Sequence, residues 1–243
     1  MTLYLIGLGL DSKDISVKSL EIIKKCSKVY LECYTNEFPY SVYDLERLIG
    51  MKIVKADREF VEQKAHALID ESKNQNIALL IYGSALSATT HSDLILRAKE
   101  QGVETKIFHN SSIFVAIAST GLQLYKFGKT ASIPAWKQNY TPTSFIDIIA
   151  ENQSINAHTL LLIDIGLSCN DALNELEEAN KDKTKIDKMI VCSMLGTDKE
   201  KIYYESMHEL KKKAEKIQAP FCFIIPSDLH FKEEEYLNMT KER

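Results

Sequence analysis

The sequence predicts an α/β protein made of two α/β domains with a ligand cleft between them. Three observations carry this expectation. Up to about residue 110, short β-rich runs alternate with amphipathic stretches, the pattern of crossover units in a largely parallel sheet covered by helices. Small and hydroxyl-bearing residues gather where these runs hand over to helices, and ligands of such sheets usually sit at the carboxyl ends of strands. The stretch GLQLYKFGKTASIPAW then places glycines at 121 and 128 around a polar turn, after which strands and helices mix again. A junction near residues 110–128 is therefore expected, with an N-terminal domain over 1–112 and a C-terminal domain over 113–243.

In order, strands are expected over 3–6, 29–31, 53–55, 77–82 and 106–108, with helices over 17–26, 43–49, 59–72, 92–101 and 112–119. In the second half, strands are expected over 131–133, 159–163, 189–192 and 221–225, and helices over 143–149, 171–179 and 204–217. The run Lys211-Lys212-Lys213 falls in a helical pattern containing Glu209 and Glu215 and reads as a solvated face.

Composition sets the class. With 243 residues, 45% hydrophobic and 26% charged, the chain can bury a sizeable core and has the balance of a soluble globular protein. A formal charge of -4 argues against a phosphate-coating surface, so no direct nucleic-acid ligand is expected. Five scattered cysteines without a CxxC pair read as reduced residues of a cytoplasmic protein. The apolar start MTLYLIGLGLDSKD has neither a basic leader nor a small-residue cleavage site and reads as a first strand. No apolar run approaches the roughly 20 residues of a membrane-spanning helix, so no membrane association is expected.

Two junctions draw attention. LIGLGLDSKDIS puts Gly7 and Gly9 between the first strand and a helix, but Ser12 stands where a dinucleotide fingerprint needs its third glycine, and Glu32 is only a weak acidic partner. A tight turn, or a backbone that approaches a bulky ligand, explains the pair. YGSALSATTHSDL follows the oily run 77–81. In it Thr90 and Asp93 have the spacing of a capping box, which leaves Ser84, Ser87, Thr89 and His91 unexplained. Small side chains and free N–H groups there suit an adenosine, carboxylate or phosphate. Asn110, Ser111 and Ser112 have the look of an N-cap and line a second junction. His91, His158 and His230 read first as structural hydrogen-bonders. No metal-ligand spacing, GxSxG elbow, Walker A loop or HExxH pair occurs.

Taken together, LYLIGLGL, KDISVKSLEIIKKCSKVYLECYT, ADREFVEQ, SATTHSDLILRAKEQGV, HNSSIFVAIASTGLQLYKFGKT and HTLLLIDI resemble the diphthine synthases of the tetrapyrrole-methylase-like family, nearly continuously over 1–165. The resemblance implies an S-adenosylmethionine-dependent methyltransferase, usually a homodimer, with the cofactor bent between two α/β domains. It implies that the substrate is the 3-amino-3-carboxypropyl group built on one histidine of translation elongation factor 2, methylated successively in diphthamide biosynthesis. It places Leu10, Ser84, Ser87, Ser112, Ile113, Ile163, Leu195 and Phe221 at the cofactor, many through backbone.

The chain departs from the pattern of that family at named positions. Gly83-Ser84-Ala85 stands where relatives read Gly-Asp-Pro, Gly166 replaces a lysine, Cys192-Ser-Met-Leu-Gly196 replaces an Ala-Arg motif, and Phe221 replaces a histidine. Methyl transfer from a sulfonium needs positioning of a neutral amine more than a triad or metal, so the residue that removes the amine's proton stays unassigned, with His91 a conceivable relay. Tyr125, Trp136 and Tyr140 are candidates for an aromatic contact with a quaternary ammonium product. The rival readings are a degenerate homologue that binds without catalysing, a corrin-type methyltransferase of the same fold, and a dinucleotide-dependent oxidoreductase.

Overall fold

The computed structural model describes residues 1–181 and 183–240, and the chain divides into two compact units, Met1–Phe114 and Val115–Arg243. The first unit holds a fully parallel five-stranded sheet in the order β3-β2-β4-β1-β5. Its strands are β1 (Thr2–Gly7), β2 (Lys28–Glu32), β3 (Val54–Ala56), β4 (Ile77–Ile81) and β5 (Glu104–Phe108). Between them run α1 (Val17–Ile23), α2 (Val42–Ile49), α3 (Ala65–Asn74) and α4 (His91–Glu100).

The central strands are oily on both faces because both faces are covered. Alternate residues Leu3, Leu5, Ile77, Leu79 and Ile81 pack with Leu68 and Ile69 of α3 and Leu94 of α4. Their neighbours Tyr4, Ile6, Ala78 and Leu80 pack with Ile23 of α1 and Leu45 and Ile49 of α2 on the other side. The two-residue period of a strand sorts the side chains in this way. Since every strand runs the same way, all five carboxyl ends lie at one edge of the sheet.

Helix starts follow local chemistry. Ser16 accepts from the Ser19 N–H ahead of α1, and Ser41 accepts from the Asp44 N–H ahead of α2 while donating to the Asp44 carboxylate. The expected helix over 59–72 is divided: a single π-turn, Glu59–Gln63, is separated from α3 by Lys64.

The second unit opens around α5 (Ile113–Ala116), a single turn in place of the helix expected over 112–119. A 3₁₀ turn over Ile117–Thr120 continues it, and Gly121 ends it in the left-handed region. Its sheet is mixed, in the order β6-β7-β10-β8-β9. The elements are β6 (Ala131–Ile133), α6 (Ser144–Ser154), β7 (Thr159–Ile163), α7 (Cys169–Asn180), β8 (Met189–Ser193), β9 (Lys201–Glu205), α8 (Met207–Lys213), β10 (Phe221–Ile225) and α9 (Phe231–Thr240). Strand β10 runs antiparallel to both β7 and β8.

Two expectations are corrected here. The helix expected over 204–217 begins inside β9, because its first residues pair with β8. The helix starts only after Ser206, whose side chain accepts from the Glu209 N–H. Helix α9 was not expected at all. Its hydrophilic run is held by one buried carboxylate, Glu233, 1% exposed, which accepts from the Gln123 and His230 N–H groups and meets His158 Nε2 at 3.2 Å and Lys126 Nζ at 3.1 Å. The lysine run is paired throughout, Lys211 with Glu177, Lys212 with Glu209 and Lys213 with Glu205. All five cysteines are free, four of them buried and Cys33 exposed. Among the described residues, no helix is long and apolar enough to cross a membrane.

Burial pushes the Glu233 carboxyl up, but its N–H donors, His158 and Lys126 outweigh that and hold it at about 2, against 4.5 for a free glutamate. A depressed carboxyl contributes stability that is complete above the unfolded value and is lost as pH falls toward the folded one. Glu233→Gln should therefore destabilise the protein by about 3 kcal/mol at pH 7. It should also remove the loss of stability that the parent shows between pH 4.5 and about 2. Urea unfolding across that range checks this, and an unchanged acid limb refutes it.

Candidate functional site

The tails of β4, β1 and β5 are neighbours in the sheet, and their glycines let the backbones close on one another. Gly9 and Gly83 both have left-handed φ, of 79° and 71°, and exchange N–H to carbonyl bonds at 3.0 and 2.9 Å. A methyl group on Gly7 would lie 2.6 Å from the Gly83 carbonyl oxygen and 3.0 Å from Ser84 Cα. One on Gly9 would collide with the Asp14 side chain. The GLG stretch is therefore a close-packed turn whose residues cannot be enlarged.

Asp14 completes the turn. Its Oδ2 accepts from the Leu10 N–H at 2.9 Å, the Asp11 N–H at 3.0 Å and the Ser111 hydroxyl at 3.3 Å. Asn110 spans the same gap, its Nδ2 donating to the carbonyls of Gly7 and Asp14 and its Oδ1 accepting from the Ser111 N–H. Asn110 thereby ties the β5 tail to the β1 tail. That tie joins side chain to backbone across roughly a hundred residues of sequence, so no local pattern reports it.

Of the expected site residues, the structure brings Leu10, Ser84, Ser87, Ser112 and Ile113 to the tails of β1, β4 and β5. The Leu10 backbone is engaged at both ends, its N–H to Asp14 and its carbonyl accepting from the Tyr82 hydroxyl at 3.2 Å. Ser84 and Ser112 are buried, while Ser87 and Ile113 are half-buried. Ser84 Oγ lies 3.3 Å from His109 Nδ1. Ala88 holds a left-handed φ of 55° without being glycine, a strained backbone of the kind found where a loop is held for use.

In the second unit, Ile163 ends β7, Phe221 starts β10 and Leu195 follows β8. The pairings Leu162 with Cys222 and Ser193 with Phe221 put all three at one edge of that sheet. Trp136 donates its indole N–H to the Pro142 carbonyl, Tyr125 its hydroxyl to Gln123 Oε1, and Tyr140 is exposed. His158 is structural, its Nδ1 accepting from the Ser227 N–H so that Nε2–H faces Glu233. His230 Nδ1 accepts from the Lys232 N–H.

The expected capping box at Thr90 does not form. Thr90 donates its hydroxyl to Glu62 at 2.8 Å and Asp93 pairs with Arg97 at 2.7 Å, so α4 has no side-chain cap. The nearby glutamate and arginine are stronger partners for those groups than a neutral N–H. Among the described residues, no three His, Cys, Asp or Glu side chains form a metal-holding group.

The edge of the first unit gathers main-chain and hydroxyl groups after β1, β4 and β5. Glycine-held main chain permits close approach, and the hydroxyls of Ser84, Ser87 and Ser112 offer donors and acceptors. Position 84 supplies no carboxylate for a cationic centre.

Comparison with known proteins bears on what that edge holds. The family model for Tetrapyrrole (Corrin/Porphyrin) Methylases matches residues 2–211. The chain is 48% identical over 164 residues to the diphthine methyl ester synthase of Homo sapiens, a match covering 67% of this chain and 58% of that protein. It is 38% identical over 267 residues to the diphthine methyl ester synthase of Dictyostelium discoideum, covering 97% of each. A crystal structure of diphthine synthase superposes with a TM-score of 0.90 at 33% identity, covering 99% of this chain and 96% of that one. The match spans little more than half the length of the human relative.

Gly7→Ala should cost about 1–3 kcal/mol of stability by forcing the β1 and β4 tails apart. Urea unfolding at neutral pH measures this, and a loss below about 0.5 kcal/mol would mean that the tails yield freely.

Proposed function

This chain belongs to the tetrapyrrole (corrin/porphyrin) methylase family, and on that premise we propose that it is an S-adenosylmethionine-dependent methyltransferase of diphthamide biosynthesis. Its substrate is the 3-amino-3-carboxypropyl group on a histidine of translation elongation factor 2, which it methylates successively. The observation that carries the reading is the edge where Gly7, Gly9 and Gly83 bring three strand tails together beside buried Ser84 and Ser112. The names of the human and Dictyostelium relatives favour a diphthine-type acceptor over a corrin. The protein acts in the cytoplasm as a homodimer.

When bound, the cofactor supplies an already activated methyl group on a sulfonium. The chain's own task is then to bind, orient and exclude water. Main chain around Gly83 and the hydroxyls of Ser84, Ser87 and Ser112 hold the nucleoside and its tail, with Leu10 and Ile113 as apolar walls. Ile163, Leu195 and Phe221 make the remaining contacts. Ser84, facing His109 where relatives carry a carboxylate, favours one second reading: a chain that binds the cofactor weakly and turns over slowly.

The test is incubation of purified protein with methyl-labelled S-adenosylmethionine and elongation factor 2 carrying the unmethylated intermediate. Label on the factor is expected, and its absence at saturating cofactor overturns the reading. Ser84→Asp should raise cofactor affinity about tenfold, the effect of one favourable charge contact of ~1.4 kcal/mol. Titration calorimetry measures it, and unchanged affinity would exclude position 84 from the cationic centre.

A further inference from the structure

We infer that the cavity beside His91 receives the protonated amine of the acceptor, and that the His91 imidazole takes its proton. The inference rests on the methyl-transfer reading above.

His91 is the first residue of α4 and is only 1% exposed, yet neither ring nitrogen has a hydrogen-bond partner among the described residues. An unpartnered buried polar group is expensive and rare in a folded protein, and it is tolerated where a partner arrives from outside. His91 is one of the residues that line a cavity of about 210 Å³, together with Glu62, Thr90 and Leu94. The Tyr34 ring lies 6.5 Å from the imidazole.

The surroundings select the ligand. Glu32 on the β2 tail and Glu62 in the π-turn both place negative charge on the imidazole. Glu32 is occupied by the N–H groups of Tyr34 and Thr35 and by the Thr35 hydroxyl. Glu62 accepts from Thr90 and has Arg58 at 4.0 Å, while Arg58 also lies over the Tyr34 ring. On α4 itself Asp93 and Arg97 neutralise one another. The ring thus presents a bare acceptor in a negative setting, which suits a cationic N–H donor and repels an anion.

Sheet order puts this cavity and the candidate cofactor residues after the same strand, β4. Strand β4 lies between β2 and β1, so its tail serves both neighbours. Ser84 faces His109 after β5, whereas Thr90 meets Glu62 and His91 lies by Tyr34 on the β2 side.

The chemistry balances. An ammonium has no lone pair to attack with, so one N–H bond breaks, its electron pair stays on the amine nitrogen, and the proton moves to the imidazole. Burial holds the His91 pKa below 6.5 despite the two glutamates, so the ring is neutral at pH 7 and able to accept. The imidazolium formed faces Glu32 and Glu62 until it returns the proton to water at the cavity mouth.

Three measurements test this on the full chain. Cofactor affinity by calorimetry should stay within twofold in His91→Gln and His91→Ala. The single-turnover rate on elongation factor 2 should fall by about 100-fold or more in both, and the rise of rate with pH should lose its lower limb. In wild type, the His91 imidazole resonances should shift when N-(3-amino-3-carboxypropyl)imidazole is titrated in, and less so in Glu62→Gln. If wild type transfers methyl groups and the His91 variants keep its rate and pH profile, the inference is overturned. If wild type transfers none, the methyl-transfer reading has failed instead, and the resonance titration on wild type decides this inference alone: unmoved resonances overturn it. The same titration decides should the variants not fold.

Discussion

The first unit depends on how closely two strand tails can approach. At the end of β1 the chain must turn within reach of the β4 tail, and the mutual N–H to carbonyl bonds of Gly9 and Gly83 fix that approach. Side chains are excluded at Gly7 and Gly9 by the Gly83 carbonyl and by Asp14. From this one contact the rest of the edge follows. Asp14 is drawn in to satisfy the turn's N–H groups, Asn110 ties on the β5 tail, and Ser84 and Ser112 are left buried at a surface of main chain. A surface of that kind recognises a ligand through shape and hydrogen bonds, and it explains why the chain can lack a fingerprint for any catalytic triad. The proposed reaction asks for alignment, and alignment is what a rigid, glycine-packed edge supplies.

The second unit is organised differently. Its sheet is mixed, and its last helix, α9, is fastened through Glu233, where a carboxylate, a neutral imidazole and an ammonium share one buried spot. His158 has its other nitrogen committed to the Ser227 N–H, so its tautomer and ring orientation are set. This accounts for a buried histidine without any chemical task, and it sharpens the contrast with His91, whose nitrogens have no such commitments.

Much of the architecture was legible because strand and helix periods survive in the sequence. The runs at 3–6, 77–81 and 159–163 are strands, since β-branched and leucine residues there face two helical layers or a covered sheet face. What escaped was set by partners far along the chain. Tyr204 and Glu205 look helical beside the amphipathic stretch that follows, but pairing with Ile190 and Met189 makes them strand. Helix α9 has a weak apolar pattern and is secured by one ion cluster whose members lie some seventy to a hundred residues away. At the proposed site, the small residues announced the edge, whereas Asp14 and the Asn110 tie are contacts between side chain and distant backbone that no spacing rule encodes.

The start of α4 shows how a broken local rule marks a place of use. A threonine and an aspartate three residues apart ordinarily close a capping box, which would satisfy the helix's first N–H groups. Here both residues turn away, Thr90 to Glu62 and Asp93 to Arg97. The helix therefore begins without a side-chain cap, near a non-glycine residue, Ala88, in the left-handed region and a histidine buried without hydrogen-bond partners among the described residues. The strained Ala88 and the unpartnered histidine each cost stability, and the packing of α4 against β4 is supplied by Leu94 and Ala98. Two such costs within four residues fit a segment shaped for an incoming group rather than for the helix it opens. Because β4 is central, its tail carries Ser84 toward β5 on one side and Thr90 toward Glu62 on the other, so the two proposed sites would share one strand end.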